Sequence, residues 1–476
     1  MSRTTVAAVI ADGLARAGTR RVFAAPGASA PVLDAARARD VSVIDVGGAT
    51  AACIMAAVTS ELEDAPGAAA VSLAGGLTAV VDGAAHATRD RAAVIIVSDG
   101  AADAGLLSPV TKASLVAEGA SAAHWIAHAA QLSMAAPRGA VHLALPGEIA
   151  TAPTLPVATA CRRAPLPAPA TQTLDSLAEV IAAAARPVLV VGLGIAEDDA
   201  KWVRALAETL PAPVLTTAKG KGALPDPHPL ALGLLAPDHP LAARADLLVA
   251  LGVDPVEISP GAWPVGVNTV HVSAAPADAF LYRPVLDVVA DIGLVIEELA
   301  PRLRGRTGAD WDVAELDGMK RALGGASGAA RGLTRRRVVA IVREATPDGT
   351  LATLDVPLAD AWHSVAPREL LIPNGVATAG FALPAAIAAA LAREQRVVAI
   401  GSASGIVAMQ AELATAVRLQ LPIIIIMLAQ QPVATEYPRA AGLPVWDAGD
   451  EASFRTALER AWSLGRPALV TAQVTG

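Results

Sequence analysis

Cysteine is nearly absent from this chain: among 476 residues only Cys53 and Cys161 occur. They stand far apart, with no Cys-x-x-Cys and no Cys/His pattern, so neither a disulfide framework nor a structural zinc site is indicated. Aromatic residues make up only 3%, which leaves any core to be built from small aliphatic side chains. Charge is modest, 37 basic against 45 acidic residues for a net −8, and this balance weighs against nucleic acid or an anionic membrane as a partner. Long apolar runs are missing as well. A membrane span needs ~18 consecutive apolar residues. The best candidate by length, the uncharged stretch 370–392, is interrupted by Pro373, Asn374, Gly375 and Pro384, and the 423–428 run is strand-sized. The opening MSRTTVAAVIADGLARAG reads as an amphipathic helix, not a signal peptide. A soluble cytoplasmic protein is the expectation.

What the chain does have is Ala, Val, Leu and Gly in a repeating strand–turn–helix rhythm, the signature of α/β architecture. RRVFAAPG, VSVIDVG, AAAVSLAGG, AAVIIVSDG and GAVHLALPG each read as a short apolar strand that ends in a turn residue. RRAPLPAPATQT (162–173) reads as an extended linker. A second unit follows with strands RPVLVVGLG, ADLLVALGV and NTVHVSA, and a Gly- and Arg-rich second linker is expected at 305–331. The Gly192-Leu193-Gly194 turn lacks the third glycine of a dinucleotide fingerprint, so a plain strand-to-helix turn is the preferred reading. These patterns predict three doubly wound parallel-sheet domains at 1–160, 174–305 and 332–476.

The most informative stretch is Arg396 to Gln430. RVVAIG and LPIIIIML suit strands buried on both faces. Ile406, Met409, Leu413, Ala416 and Val417 recur between them at helical spacing. The turn at Gly401 to Gly405 would present backbone N–H groups at the carboxyl end of the sheet, where ligands sit in such folds. The run AIGSASGIVAMQAELATAVRLQLPIIIIML resembles the diphosphate-binding segment of the thiamine diphosphate (ThDP) enzymes, in particular the acetolactate synthase group. VFAAPGAS, TTAKGKGALPDPHPLALG and IPNGVATAGFALPAAIAAALA extend the resemblance along the chain, which implies an acetolactate synthase/pyruvate oxidase-like fold.

The resemblance also implies a chemistry whose residues are altered. In the family a Gly-Asp-Gly turn and an Asn pair hold Mg²⁺ and, through it, the diphosphate. The matching positions here are Ser402, Ala403 and Ser404, followed by Gly405, and then Ala429 and Gln430. The family's Glu, which promotes proton transfer on the cofactor's aminopyrimidine ring, falls at Ala49, and its Gly-Pro-Gly-Ala-Thr-Asn becomes Ala74 to Ala79, with Gly76 kept. A methyl moves no proton, and Mg²⁺ demands oxygen ligands. The expectation drawn from these losses is a vestigial site: no ThDP, no metal and no other cofactor. Ser404 is expected to cap the helix that follows.

Polar candidates near the inherited cleft are Thr50, Cys53, His86, Asp90, Lys112, Asn374, Gln430 and Gln431, of which Thr50, Cys53, His86, Asn374 and Gln430 are the catalytic candidates. Cys53 also reads as a buried filler, His86 as a partner of Asp82 or Asp90, Asn374 as a turn residue and Lys112 as a solvated lysine. Three functions stay open. One is a cofactor-independent enzyme for C–C cleavage, hydrolysis or decarboxylation of a small anionic carbonyl compound. Another is a non-catalytic homologue that pairs with an active relative. The third is a ThDP-dependent 2-oxo-acid lyase or carboligase with an altered metal site. The family's cleft lies between two subunits, so a homodimer or dimer of dimers is expected.

Overall fold

A computed structural model describes residues 4–475 apart from 101–103, 260, 304, 306–308, 326–331 and 375–378. The chain divides into two compact units, one made of 1–164, 351–357 and 373–476, the other of 165–350 and 358–372. Gly375 of the anticipated Pro-Asn-Gly turn and the end of the second linker lie outside the described residues.

In the first unit one parallel sheet runs in the order Ser42–Asp45, Arg21–Ala24, Gly67–Val71, Val94–Ser98, Ala140–Ala144, Ala113–Val116. The inner strands Gly67–Val71, Val94–Ser98 and Ala140–Ala144 are buried at every position, as short aliphatic runs covered by helices on both faces must be. A second parallel sheet of this unit runs Leu351–Leu354, Val397–Ser402, Ile423–Ala429, Ala468–Gln473, Val445–Ala448. The Ile423–Ala429 strand is buried throughout. Small residues let the helices Ala49–Glu63 and Leu73–Arg89 approach closely: a Cβ at Gly83 would lie 2.5 Å from Cys53 Cβ.

The other unit carries a parallel sheet in the order Ala231–Leu234, Val214–Thr216, Pro187–Val191, Leu247–Leu251, Asn268–Ser273, Leu286–Val289. The whole is an α/β fold of three parallel sheets flanked by helices. The stretch expected as a second linker instead holds the helix Val313–Gly325. Trp311 and Leu316, both buried in the core of this unit, recruit it. The segment lacks a continuous pattern, but these two apolar anchors suffice to dock it.

At the carboxyl ends of the central strands the Gly192–Gly194 turn packs on Gly252. A Cβ on Gly192 would stand 2.5 Å from Val253 Cα, and one on Gly194 2.9 Å from Gly252 O. The glycines serve backbone contact. Beside them sits Glu257, whose carboxylate accepts the Leu193 N–H at 2.9 Å and the Thr217 hydroxyl. Burial pushes its pKa up to about 7, against the pull of those hydrogen bonds. A carboxyl whose folded pKa exceeds its unfolded value favours the native state at low pH, and this advantage is lost as pH rises from about 4.5 through 7. Glu257→Gln is therefore expected to raise the melting temperature at pH 8 relative to the wild type and to leave it unraised at pH 4.5. The difference corresponds to a few kcal/mol at most, on the order of 3. Equal pH dependence of the two proteins in thermal unfolding would contradict this assignment.

Candidate functional site

The turn after Val397–Ser402 forms because a strand ends on a serine that can cap a helix. Ser402 Oγ accepts the Gly405 N–H at 3.1 Å, and the Ser402 N–H donates to Asp355 Oδ1 at 3.0 Å. The cap is thus Ser402; Ser404, expected in that role, lies inside the first turn of the Ala403–Ala408 helix, exposed and 3.4 Å from Ser402 Oγ. The cap sits earlier because its oxygen must reach the third residue onward, and that is Gly405. Gly405 must be glycine for closeness: a Cβ there would meet Asp355 Oδ2 at 2.7 Å and Gly380 N at 2.9 Å. Burial pushes the Asp355 carboxyl up to about 6, while the Ser402 and Ala382 N–H groups pull it down. Asp355, at the end of a buried strand and adjacent to the switch turn, holds that turn through the Ser402 N–H.

The helix expected to run unbroken from the turn to Gln420 is two, Ala403–Ala408 and Ala411–Arg418. Met409 leaves helical geometry at φ −107° and ψ 22°, and its side chain packs against Gly380, where an added Cβ would fall 2.6 Å from Met409 Cγ. Glu412 in the second helix is buried, with its pKa raised by burial and drawn back by the Thr415 hydroxyl and the Gly47 N–H.

On the first sheet, the helix starts at Ala49 and Leu73 lie side by side, with Thr50 Oγ1 donating to Ala79 O at 2.9 Å. At Gly48, Gly75 and Gly76 an added Cβ would meet nothing within 4 Å, so the helix starts border open space. Ala49 is buried and brings only a methyl to this end of the helix. Gly76 departs from helical angles, which kinks the second helix just after its start.

The remaining candidates separate into groups. Cys53 is fully buried, and burial, with Asp82 adding to it, pushes its thiol up to about 12; it packs and does not attack. His86 is buried 3.6 Å from Asp90, against Phe381, and Asp90 accepts the Asn374 N–H at 2.5 Å. That set ties the Leu73–Arg89 helix to the segment before Phe381. Lys112 donates to Ala135 O at 2.6 Å, and burial first, then Arg163 and Arg91, lower its pKa to about 8. Ala429 ends its strand buried, and Gln430 and Gln431 follow it exposed. A further set, not anticipated, joins Ser98, His142 and Ser114 at 2.8 and 2.7 Å. Ser98 also donates to Gly100 O, so the His142 Nε2 proton goes to Ser98 and the Ser114 hydroxyl to Nδ1. Burial lowers His142 to about 4, and its two ring nitrogens are occupied by these serines.

Comparison with known proteins gives this geometry a family. The model for the thiamine pyrophosphate enzyme N-terminal TPP binding domain matches residues 4–112, that for the central domain 174–299, and that for the C-terminal TPP binding domain 353–437. The chain belongs to the thiamine pyrophosphate enzymes. It is 28% identical to the catabolic acetolactate synthase of Raoultella terrigena over 87% of this chain and 81% of that one. It is 27% identical to an acetolactate synthase of Bacillus subtilis (strain 168), over 88% and 80%. The fold superposes on a Rhodococcus jostii RHA1 thiamine diphosphate-dependent 4-hydroxybenzoylformate decarboxylase with a TM-score of 0.82 and 19% identity, covering 99% of each chain. Among the described residues no helix is long and apolar enough to cross a membrane.

These matches correct one expectation. Absence of ThDP and Mg²⁺ was inferred from missing side chains, yet both TPP binding domains are matched, across the stretches that hold Ala49, Ala403 and Ala429. Phosphate oxygens are also bound by helix-start N–H groups, which survive any substitution there. The donors at the Ser402 turn fit this role: first-turn N–H groups, the Ser402 and Ser404 hydroxyls, and a nearby carboxylate, a set of nitrogen donors for phosphate and hard oxygens for a cation. Among the described residues no cluster of three or more His, Cys, Asp or Glu is placed to hold a metal.

The cap assignment is checked by two substitutions. Ser402→Ala is expected to lower stability to denaturant by about 1 kcal/mol, and Ser404→Ala by no more than a few tenths. The reverse ranking would return the cap to Ser404.

Proposed function

We propose that the protein is a ThDP-dependent enzyme of the acetolactate synthase branch that breaks or forms the bond beside the carbonyl of a small 2-oxo acid. The single observation that carries this reading is the coincidence of matched TPP binding stretches with a capped, N–H-rich turn at Ser402–Gly405. The named activities of the two aligned relatives, both acetolactate synthases, support the choice of a 2-oxo acid. When bound, ThDP supplies the carbon nucleophile and electron sink that such a reaction needs.

The chain's own part is binding and exclusion. The Ala403 and Ser404 N–H groups and the Ser402 and Ser404 hydroxyls would hold the diphosphate, with the helix start favouring its charge. Asp355 fixes the turn through the Ser402 N–H. At Gly48, Gly75 and Gly76 an added Cβ would meet nothing within 4 Å, which leaves the backbone there free to approach a ligand. Ala49 supplies no proton, so proton transfer there falls to water or to groups of the ligand. The cytoplasmic setting and a homodimer or dimer of dimers, with domains at 1–160, 174–305 and 332–476, belong to this proposal. The methyls at Ala49, Ala403 and Ala429 favour one second reading, a homologue that binds ThDP without turning over substrate.

A coupled assay of 2-oxo-acid consumption and CO₂ release, with the protein stripped of small molecules and then given ThDP and Mg²⁺, tests the proposal. Turnover that needs ThDP is expected. Binding without turnover would shift the assignment to the second reading, and turnover indifferent to ThDP would overturn both.

A further inference from the structure

The loop that enters the Ala49–Glu63 helix is held from outside by one neighbouring helix, Ala411–Arg418. Arg418 donates to Asp45 O, and Glu412 Oε1 accepts the Gly47 N–H at 2.8 Å. No side chain caps this helix from within, because the cap position is Gly48. The contact is intimate: a Cβ on Gly47 would fall 2.5 Å from Ala411 Cβ and 2.8 Å from Glu412 Oε1. Glu412 itself is 1% exposed. A carboxyl so deeply buried is costly beside an alanine unless its hydrogen bond is needed. The loop it grips includes Gly48, where an added Cβ would meet nothing within 4 Å, and leads directly to Ala49.

We propose that Glu412 is a positioning residue for the ligand seat: its carboxyl, acting through the Gly47 N–H, fixes the Gly47–Gly48 turn and with it the open end of the Ala49–Glu63 helix. The inference rests on the ThDP reading given above. Because Ala49 and both glycines contribute no polar side chain, the placement of this backbone decides what a ligand meets here. The hydrogen bond requires an acceptor oxygen at that distance and does not require a charge, which separates Glu412→Gln from Glu412→Ala.

Calorimetric titration of ThDP with Mg²⁺ into the full chain, alongside circular dichroism of each variant, tests it. Glu412→Gln keeps an amide oxygen for Gly47 and is expected to bind within about threefold of the wild type. Glu412→Ala is expected to bind about tenfold or more weakly with its spectrum unchanged. Should Glu412→Ala not fold, Glu412→Asp, which keeps the charge and withdraws the oxygen by one methylene, takes its place with the same expected loss. Wild-type affinity in Glu412→Ala or Glu412→Asp would overturn the assignment. So would a Gln variant as weak as the Ala variant, since that would make the charge itself the contact. A wild type that binds no ThDP would sink the function proposed above, an outcome distinct from either.

Discussion

Two hydrogen bonds in series hold the candidate site: Asp355 takes the Ser402 N–H, and the Ser402 hydroxyl takes the Gly405 N–H. Together they fix where a strand stops and a helix starts, and so which N–H groups are left to point outward. The strands behind them are paired and buried. The Val397–Ser402 strand lies between Leu351–Leu354 and Ile423–Ala429, in register along its length, and Gly405 admits no side chain without striking Asp355 or Gly380. The turn is therefore a fixed arrangement whose chemistry is set by backbone, and only secondarily by the identity of residues 402–404.

That distinction explains what the sequence could and could not reveal. The strands were legible because buried parallel strands demand uninterrupted aliphatic runs, and 423–429 has nothing else. The place of the site was legible too, from the Gly and Ser residues between strand and helix. The helix Val313–Gly325 was not, since it is anchored by Trp311 and Leu316 against a core that other segments build. Nor was the break at Met409, whose side chain packs against Gly380, near in space and distant in sequence. Glu412 read as one polar residue on a helix; its meaning lies in Gly47, 365 residues earlier.

The same limit explains the error over the cofactor. Methyls at Ala403 and Ala429 are lost ligands, whereas the N–H groups expected at the Gly401–Gly405 turn remain, because alanine and serine keep them. An argument from lost ligands alone thus overstates the loss. In the other unit the Gly192 N–H donates to Leu251 O and the Gly194 N–H to Gly252 O, while Glu257 receives the Leu193 N–H that an anion would need.

The central claim is that the Ser402–Gly405 turn receives the diphosphate. Hydrogen–deuterium exchange read by mass spectrometry, on peptides spanning 401–408 with and without ThDP and Mg²⁺, tests it most directly. The account predicts slower exchange in those peptides when ThDP is present. Unchanged exchange there, while ThDP is bound at saturation, would contradict it.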